Sequence, residues 1–484
     1  MKLRFPSVKS GPLALSTVLA IGAVVALGAT TAQGTEIPPA KAGPVVPAAK
    51  APPKALQGIR LIRHVIIIMQ ENRSFDSYFG VYPGADGIPM SNGVPTVCVP
   101  DPMTGQCVRP FVDHNDSVQG GPHTSPAAIA DIDGGKMDGF IKEAETRCTS
   151  SKPCKADEVM GYRVGTDIPN YWAYAQNFVL DEHMYESDHS WSLPSHLALT
   201  SGWSATCSNT ADPMSCKSST SPPKRTGTNP TPYAWTDITY LLNKAGVSWG
   251  YYLDNGAQSA TNPNGVPATW SVLPGFTDVT QDGQLGNVQN LTNFFTRAQA
   301  GTLPSVSWIQ PDAQDSEHPP ALTSTGQAFV TRVINAVMQS SDWGSSAIFL
   351  SWDDWSGMYD HVVPPTADSI GYGLRVPALV ISPYARAGYI DSQTLSFDAY
   401  LKFIEDDFLG GQRLAPATDG RPDSRPDVRE NSPLLGDLTN DFNFSQTPLP
   451  PLILDPCPAS TTLVPTPPAG CNGKVKLPAN MGAS

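Results

Sequence analysis

The sequence predicts an α/β protein with a mostly parallel central sheet and helices on both faces. Two observations carry this. Short apolar runs rich in β-branched residues recur along the chain, the clearest being Val65-Ile66-Ile67-Ile68-Met69. Runs this short and this continuous read as strands buried on both faces. Amphipathic helical stretches lie between them, and strands alternating with helices pair in parallel through right-handed crossovers.

Composition sets the outer limits. The chain has 484 residues and is 40% hydrophobic, enough for a real core in one large or two ordinary domains. Its formal charge of −13, with no long basic block, argues against nucleic acid as the main partner and leaves small anions possible at a local site. Lys2, Arg4 and Lys9 precede an apolar run over 11–29 and a small-residue exit, the pattern of an export signal over 1–34, cleaved near Ala32. An uncleaved anchor is the alternative; the short apolar run favours cleavage. No Arg-Arg pair precedes the run and no Cys follows it. No later segment is long and apolar enough to span a bilayer, so the expectation is a secreted or periplasmic protein without a transmembrane segment. The eight cysteines fall as near neighbours, Cys98 with Cys107, Cys148 with Cys154, Cys207 with Cys216 and Cys457 with Cys471. Local disulfides are the simplest reading in an oxidising compartment, although eight cysteines allow 105 pairings.

Taken in order, residues 35–58 are a Pro/Ala-rich linker. The first strand then breaks into Gln70-Glu71-Asn72-Arg73-Ser74. Ligands bind beyond the C-terminal ends of strands in open parallel sheets. Glu71 and Asn72 offer hard oxygens suited to a hard cation. The plain alternatives are a polar turn in which Asn72 caps the next helix, and a glycosylation sequon at Asn72-Arg73-Ser74. Residues 81–122 form a surface excursion held by Cys98 and Cys107. His123 leads into a helical stretch through Ile141, interrupted over 133–140 by a segment that matches neither an EF-hand nor a phosphate loop. Asp167 is placed to cap a helix with Pro169 in its first turn. A strand over 178–180 ends in Asp181-Glu182-His183.

Ser190-Trp191-Ser192-Leu193-Pro194-Ser195-His196 opens an apolar helix. Pro194 suits its first turn, which puts Ser192 just before a helix N-terminus, where free N–H groups favour an anion. Ser192 as a simple N-cap is the competing reading. Helices follow at 235–244, 288–300, 326–339 and 397–408. Strands follow at 247–253, 305–309, 347–350 and 376–381. A Pro-rich tail occupies 446–484.

The polar clusters share one position. Glu71-Asn72, Asp312 with His318, and Asp353-Asp354 all follow buried strands on the C-terminal side. Several strands delivering acidic groups to one edge is what a metal site requires. An all-oxygen set favours Mg²⁺, Ca²⁺ or Mn²⁺. Asp353 and Asp354 are adjacent, so only a turn can aim both at one ion.

The segment from His64 to Asp76 resembles the opening signature of the bacterial phosphoesterase family of acid phosphatases and non-haemolytic-type phospholipases C. Similar segments follow in family order: His123 before Gly135-Lys136-Met137-Asp138-Gly139-Phe140, then Ser192-Leu193-Pro194-Ser195-His196, Glu317-His318-Pro319, Asp353-Asp354-Trp355 with Tyr359-Asp360-His361, and Gly373 through Pro383. The resemblance covers about residues 60–410. It implies an alkaline-phosphatase-like three-layer fold for a catalytic domain over 59–445. It also implies one divalent ion held by Glu71, Asn72, Asp353, Asp354 and Ser192, with Ser192 as nucleophile. His123, His318 and His361 would contact the phosphoryl group or the leaving oxygen. Two positions depart from the family pattern: Asp354 stands where Glu is usual, and Ser195 where Asn is usual.

The expected function is metal-dependent hydrolysis of phosphate esters through a phosphoseryl intermediate. Because only a Pro-rich tail follows the core, an acid-phosphatase-like activity on small phosphate esters is expected ahead of phospholipase C-type cleavage of phospholipid head groups. A serine esterase would need a Gly-x-Ser-x-Gly elbow, which the sequence lacks. A non-catalytic secreted Ca²⁺-binding protein is the rival of another class, and it needs no activated Ser192.

Overall fold

A computed structural model describes residues 57–149, 154–225, 231–458 and 460–464. The export segment, nearly all of the linker, Cys471 and the end of the tail lie outside those residues.

The central sheet has eight strands: β1 (His64–Gln70), β2 (Val179–Asp181), β3 (Trp249–Leu253), β4 (Val288–Asn290), β5 (Val306–Gln310), β6 (Ser346–Trp352), β7 (Ala378–Ile381) and β8 (Tyr389–Asp391). Their spatial order is β4-β3-β5-β1-β6-β7-β2-β8. β1 lies at the centre, parallel to β5 on one side and to β6 on the other. Val65 to Ile68 are fully buried, as are all residues of β3, β5, β6 and β7. Strands buried along their whole length need cover on both faces.

The helices are α1 (Phe75–Phe79), α2 (Ser125–Ile132), α3 (Phe140–Glu145), α4 (Pro169–Asn177), α5 (Ser192–Ser201), α6 (Ile238–Lys244), α7 (Thr277–Gln281), α8 (Leu291–Ala300), α9 (Thr323–Gln339) and α10 (Asp398–Phe408). α9 packs against α8 and α4, and α5 against α10.

Several local expectations are corrected. β7 runs antiparallel to β6 and β2. No helix intervenes between β6 and β7, so the chain returns beside the strand it left and no crossover forms. Residues 288–290 are an edge strand, and the helix starts only at Leu291. The Asn290 side chain accepts from the Thr292 N–H and so sets that boundary. Asp167 does not cap α4. Its carboxylate accepts from the Val164 N–H and contacts His114 Nδ1, and Ile168 occupies the cap position. The 123–141 stretch divides where Asp133 turns into the left-handed region at φ 40°.

Disulfides join Cys98 to Cys107, Cys148 to Cys154 and Cys207 to Cys216. The expected pairing of Cys457 with Cys471 falls outside the described residues. Residues 446–458 and 460–464 run back over the core: Leu454 exchanges hydrogen bonds with Asn335 of α9, Thr462 bonds to Thr166 and Asp167, and Leu463 is buried. Among the described residues no helix is long and apolar enough to cross a membrane.

Candidate active site

The turn after β1 builds the first wall. The Glu71 N–H donates to the Ser316 carbonyl at 2.9 Å. Asn72 sits at φ 57°, a left-handed conformation that Asn tolerates better than most residues. This reversal lets the Asn72 N–H donate to Asp353 Oδ1 at 3.0 Å. Asn72 is therefore not a cap. That task falls to Ser74, whose hydroxyl accepts from the Ser77 N–H.

The turn after β6 builds the second wall. The Asp353 N–H donates to the Gln70 carbonyl at 2.9 Å, continuing the β1–β6 pairing one residue past the strand. Asp353 Oδ1 also accepts from the Asp354 N–H at 2.8 Å. Asp354 Oδ1 is taken by the Ser356 N–H.

Helix α5 supplies the third wall, and it is buried along its whole length. Ser192 is its first residue. The cap position belongs to Trp191, which offers no side-chain acceptor, so the helix begins uncapped. Ser192 Oγ donates to Asp354 Oδ2 at 3.2 Å. Ser195 Oγ is spent on the Asp353 carbonyl at 2.6 Å and pins the turn to the helix. His196, one turn beyond Ser192, places Nε2 2.8 Å from Glu71 Oε1 and 3.6 Å from Asp353 Oδ2. The short contact with a carboxylate oxygen assigns its proton to Nε2. Burial pulls the His196 pKa down to about 4, so the imidazole is neutral.

Glu71, Asn72, Asp353, Asp354 and Ser192 are thus brought together, and His196 joins them. Glu71, His196 and Asp353 each offer a ligand atom, all within 4.8 Å of one another. Glu71 Oε2, Asn72 Oδ1 and Asp353 Oδ2 are buried without a hydrogen-bond partner. Burial, followed by the charges of Asp353 and Asp354, pushes Glu71 well above the usual carboxylate range. Burial lifts Asp354 to about 7. Oxygens orphaned and crowded in this way match the donor set of a hard divalent ion.

Two of the three expected histidines adjoin one another. The His123 and His318 rings lie 6.0 Å apart at 75°, with Trp355 6.4 Å from His123 and Trp270 5.7 Å from His318. Each uses Nδ1 on a backbone carbonyl, His123 on Gly121 at 3.1 Å and His318 on Pro319 at 2.9 Å. That assigns a lone pair to each Nε2. Burial lowers both pKa values, with the partner imidazole adding to the effect at His318. His361 stands in another cluster. Its Nδ1 is 2.8 Å from Asp76 Oδ2 and its Nε2 3.4 Å from Asp86 Oδ1. Burial works against its charge, but the bond to Asp76 outweighs burial and the pKa rises. Arg375, in the segment leading into β7, pairs with Asp360 and Asp76 in the same cluster.

Glu317 is a buried support. It accepts from the Tyr78 and Tyr171 hydroxyls, each at 2.5 Å, and from Trp352 Nε1 at 3.1 Å, while Arg73 donates to its carbonyl. It holds the backbone that carries His318. Asp312, expected near this edge, instead closes its own loop, accepting from the Gln314 and Asp315 N–H groups and from Asn255. His196 and Glu317 had no assigned role in the sequence. The one local clue to His196 is its place four residues after Ser192 on the same helix face.

Residues 62–409 match the phosphoesterase family. The chain is 27% identical over 435 residues to a non-hemolytic phospholipase C of Pseudomonas aeruginosa, covering 79% of this chain and 57% of that protein. It is 25% identical over 445 residues to phospholipase C A of Mycobacterium tuberculosis, covering 80% of this chain and 78% of that protein. It therefore spans less than two thirds of the Pseudomonas relative. Among solved structures, a protein in the alkaline phosphatase superfamily from Vibrio parahaemolyticus is 14% identical with a TM-score of 0.30, covering 54% of this chain and 65% of that one.

Proposed function

The chain belongs to the phosphoesterase family, and on that premise we propose that it hydrolyses phosphate esters with Ser192 as the nucleophile. The observation that carries this is the Ser192 hydroxyl at the uncapped start of α5, hydrogen-bonded to Asp354 and flanked by the orphaned oxygens of Glu71, Asn72 and Asp353.

Glu71, Asn72, Asp353 and Asp354, with Ser192, would hold one divalent ion of the Ca²⁺, Mg²⁺ or Mn²⁺ class, which lowers the pKa of a serine hydroxyl and offsets phosphoryl charge when bound. The first N–H groups of α5 add their dipole to the phosphoryl oxygens. The Oγ attack on phosphorus makes the P–Oγ bond and breaks the bond to the leaving oxygen. Asp354 Oδ2, which already accepts the Ser192 O–H at 3.2 Å, takes the serine proton. His361, whose pKa is raised, supplies the proton to the leaving oxygen. Neutral His123 or His318 then draws a proton from water through Nε2, water attacks phosphorus and breaks the P–Oγ bond, Asp354 returns its proton to Ser192, and the proton held by His123 or His318 passes through solvent to restore His361.

For substrate, the relatives named phospholipase C favour a phosphodiester in a phospholipid head group. The acid-phosphatase reading rested on the tail that follows the core. The Mycobacterium relative, 78% of which is covered, weakens that inference. The domain over 59–445 and export to an oxidising compartment belong to the same proposal, the latter supported by the three disulfides.

The test is metal analysis of the purified protein alongside turnover of a phosphomonoester and a phosphocholine lipid. The expected outcome is chelator-sensitive hydrolysis, faster on the lipid. Turnover of neither class by metal-loaded protein would overturn the reading.

A further inference from the structure

A second cluster of acids lies at the far edge of the sheet. Asp181 ends β2 and Asp391 ends β8, and the two are direct partners in the parallel register. Asp441 closes the single helical turn Leu438–Asp441, its carbonyl held by the Arg386 N–H. All three are at most 1% exposed. One oxygen from each lies within 4.8 Å of the others.

What sets this cluster apart is the lack of compensation. Both carboxylate oxygens of Asp181 and both of Asp441 are buried with no donor. Asp391 alone is served, by the N–H and the side-chain amide of Gln393. Among the described residues no arginine or lysine forms an ion pair with the three; Arg386, over the Tyr389 ring at 5.1 Å, reaches Asp441 through its charge alone. The other acidic clusters differ. Arg375 sits among Asp76, Asp360 and His361, and Asp312 of the Asp254–Asp312–Asp315 group is filled by backbone and Asn255 donors.

A further group points to a ligand. Tyr400 of α10 is fully buried, its hydroxyl has no hydrogen-bond partner, and it feels the charges of Asp181 and Asp441. This buried hydroxyl, facing the charges of two carboxylates that have no donor, keeps the set all-oxygen. We propose that Asp181, Asp391 and Asp441, with the Tyr400 hydroxyl beside them, form a second cation site that binds a hard divalent ion of the calcium class. Carboxylates delivered by two strand ends and an irregular turn give the uneven oxygen cage that Ca²⁺ accepts and Mg²⁺ does not. The ion would tie β2 and the edge strand β8 to the turn that precedes the tail.

The proposal is independent of the reading of the active site, and the test separates the two. The full chain is stripped with chelator, dialysed against Ca²⁺ and counted by elemental analysis in an Asp353→Asn background, where the first site is crippled. One Ca²⁺ per chain is expected to remain there, and to vanish when Asp181→Asn is added. In chelator the added Asp181→Asn change should raise the melting temperature, because it removes a repelling charge without changing shape. In Ca²⁺ that variant should lack the stabilisation its background shows. Should Asp181→Asn prevent folding, Asp441→Asn is read in the same way. Loss of all Ca²⁺ in the Asp353→Asn protein, or equal retention after the second change, would overturn the proposal, as would a chelator-treated Asp353→Asn protein whose melting does not respond to Ca²⁺.

Discussion

His196 Nε2 donates to Glu71 Oε1 at 2.8 Å across 125 residues of chain. The bond joins the buried helix α5 to the turn after β1, so the orientation of Glu71 depends on a neutral imidazole. Groups that orient an ion's ligands typically contribute 10–100-fold to metal affinity. His196→Ala should therefore weaken metal retention by about that factor, while His196→Gln, which can still donate, recovers part of it. Equilibrium dialysis with the divalent ion checks this. An unchanged affinity in His196→Ala would remove the positioning role.

Ser192→Ala separates a nucleophile from a helix cap. Loss of a cap costs about 0.5–2 kcal/mol, but Trp191 occupies the cap position here. The variant should melt close to the parent, bind metal, and lose several powers of ten in turnover. Retention of more than about a tenth of the parent's rate would mean that another group attacks phosphorus.

Glu317→Ala tests the support beneath His318. It leaves three buried donors, on Tyr78, Tyr171 and Trp352, without their acceptor. Each orphaned group costs roughly 1–3 kcal/mol, so urea unfolding should report a loss of about 3 kcal/mol or more. A loss below about 1 kcal/mol would show that the pocket reorganises around the gap.

His361 makes stability depend on pH. Its folded pKa lies above the ordinary 6.5 because the contact with Asp76 outweighs burial. A base raised on folding adds stability that is fully present below pH 6.5 and is lost as pH climbs through the higher folded value. The stability gap between parent and His361→Gln should therefore be widest in mild acid and close as pH rises above 6.5. Denaturation curves at several pH values measure it. A gap that is flat or widens with pH would rule this out.

Some of this architecture was legible in the sequence, and the residues explain why. Val65 to Met69 could be read as a central strand because five apolar residues in a row leave no polar face for solvent. Glu71, Asn72, Asp353 and Asp354 could be picked out because they lie just past such runs, beyond Gln70 in one case and beyond Ser351-Trp352 in the other. The reversal of β7 could not, since a buried strand looks the same in either direction. The Glu71 bond to His196 and the grouping of Asp181 with Asp391 and Asp441 were also hidden. Their partners are far apart in the chain, and only the sheet order brings them together.

The central place of β1 has a consequence for how the chain is made. Its first partner, β5, begins at Val306, and its second, β6, at Ser346. An emerging chain must therefore carry its most apolar strand, edges unpaired, until most of the protein has been synthesised. Non-local pairings of this kind slow folding and expose segments prone to aggregation. Fragments ending before β6 should accumulate as insoluble material, and soluble protein should appear only once the chain extends beyond Trp352.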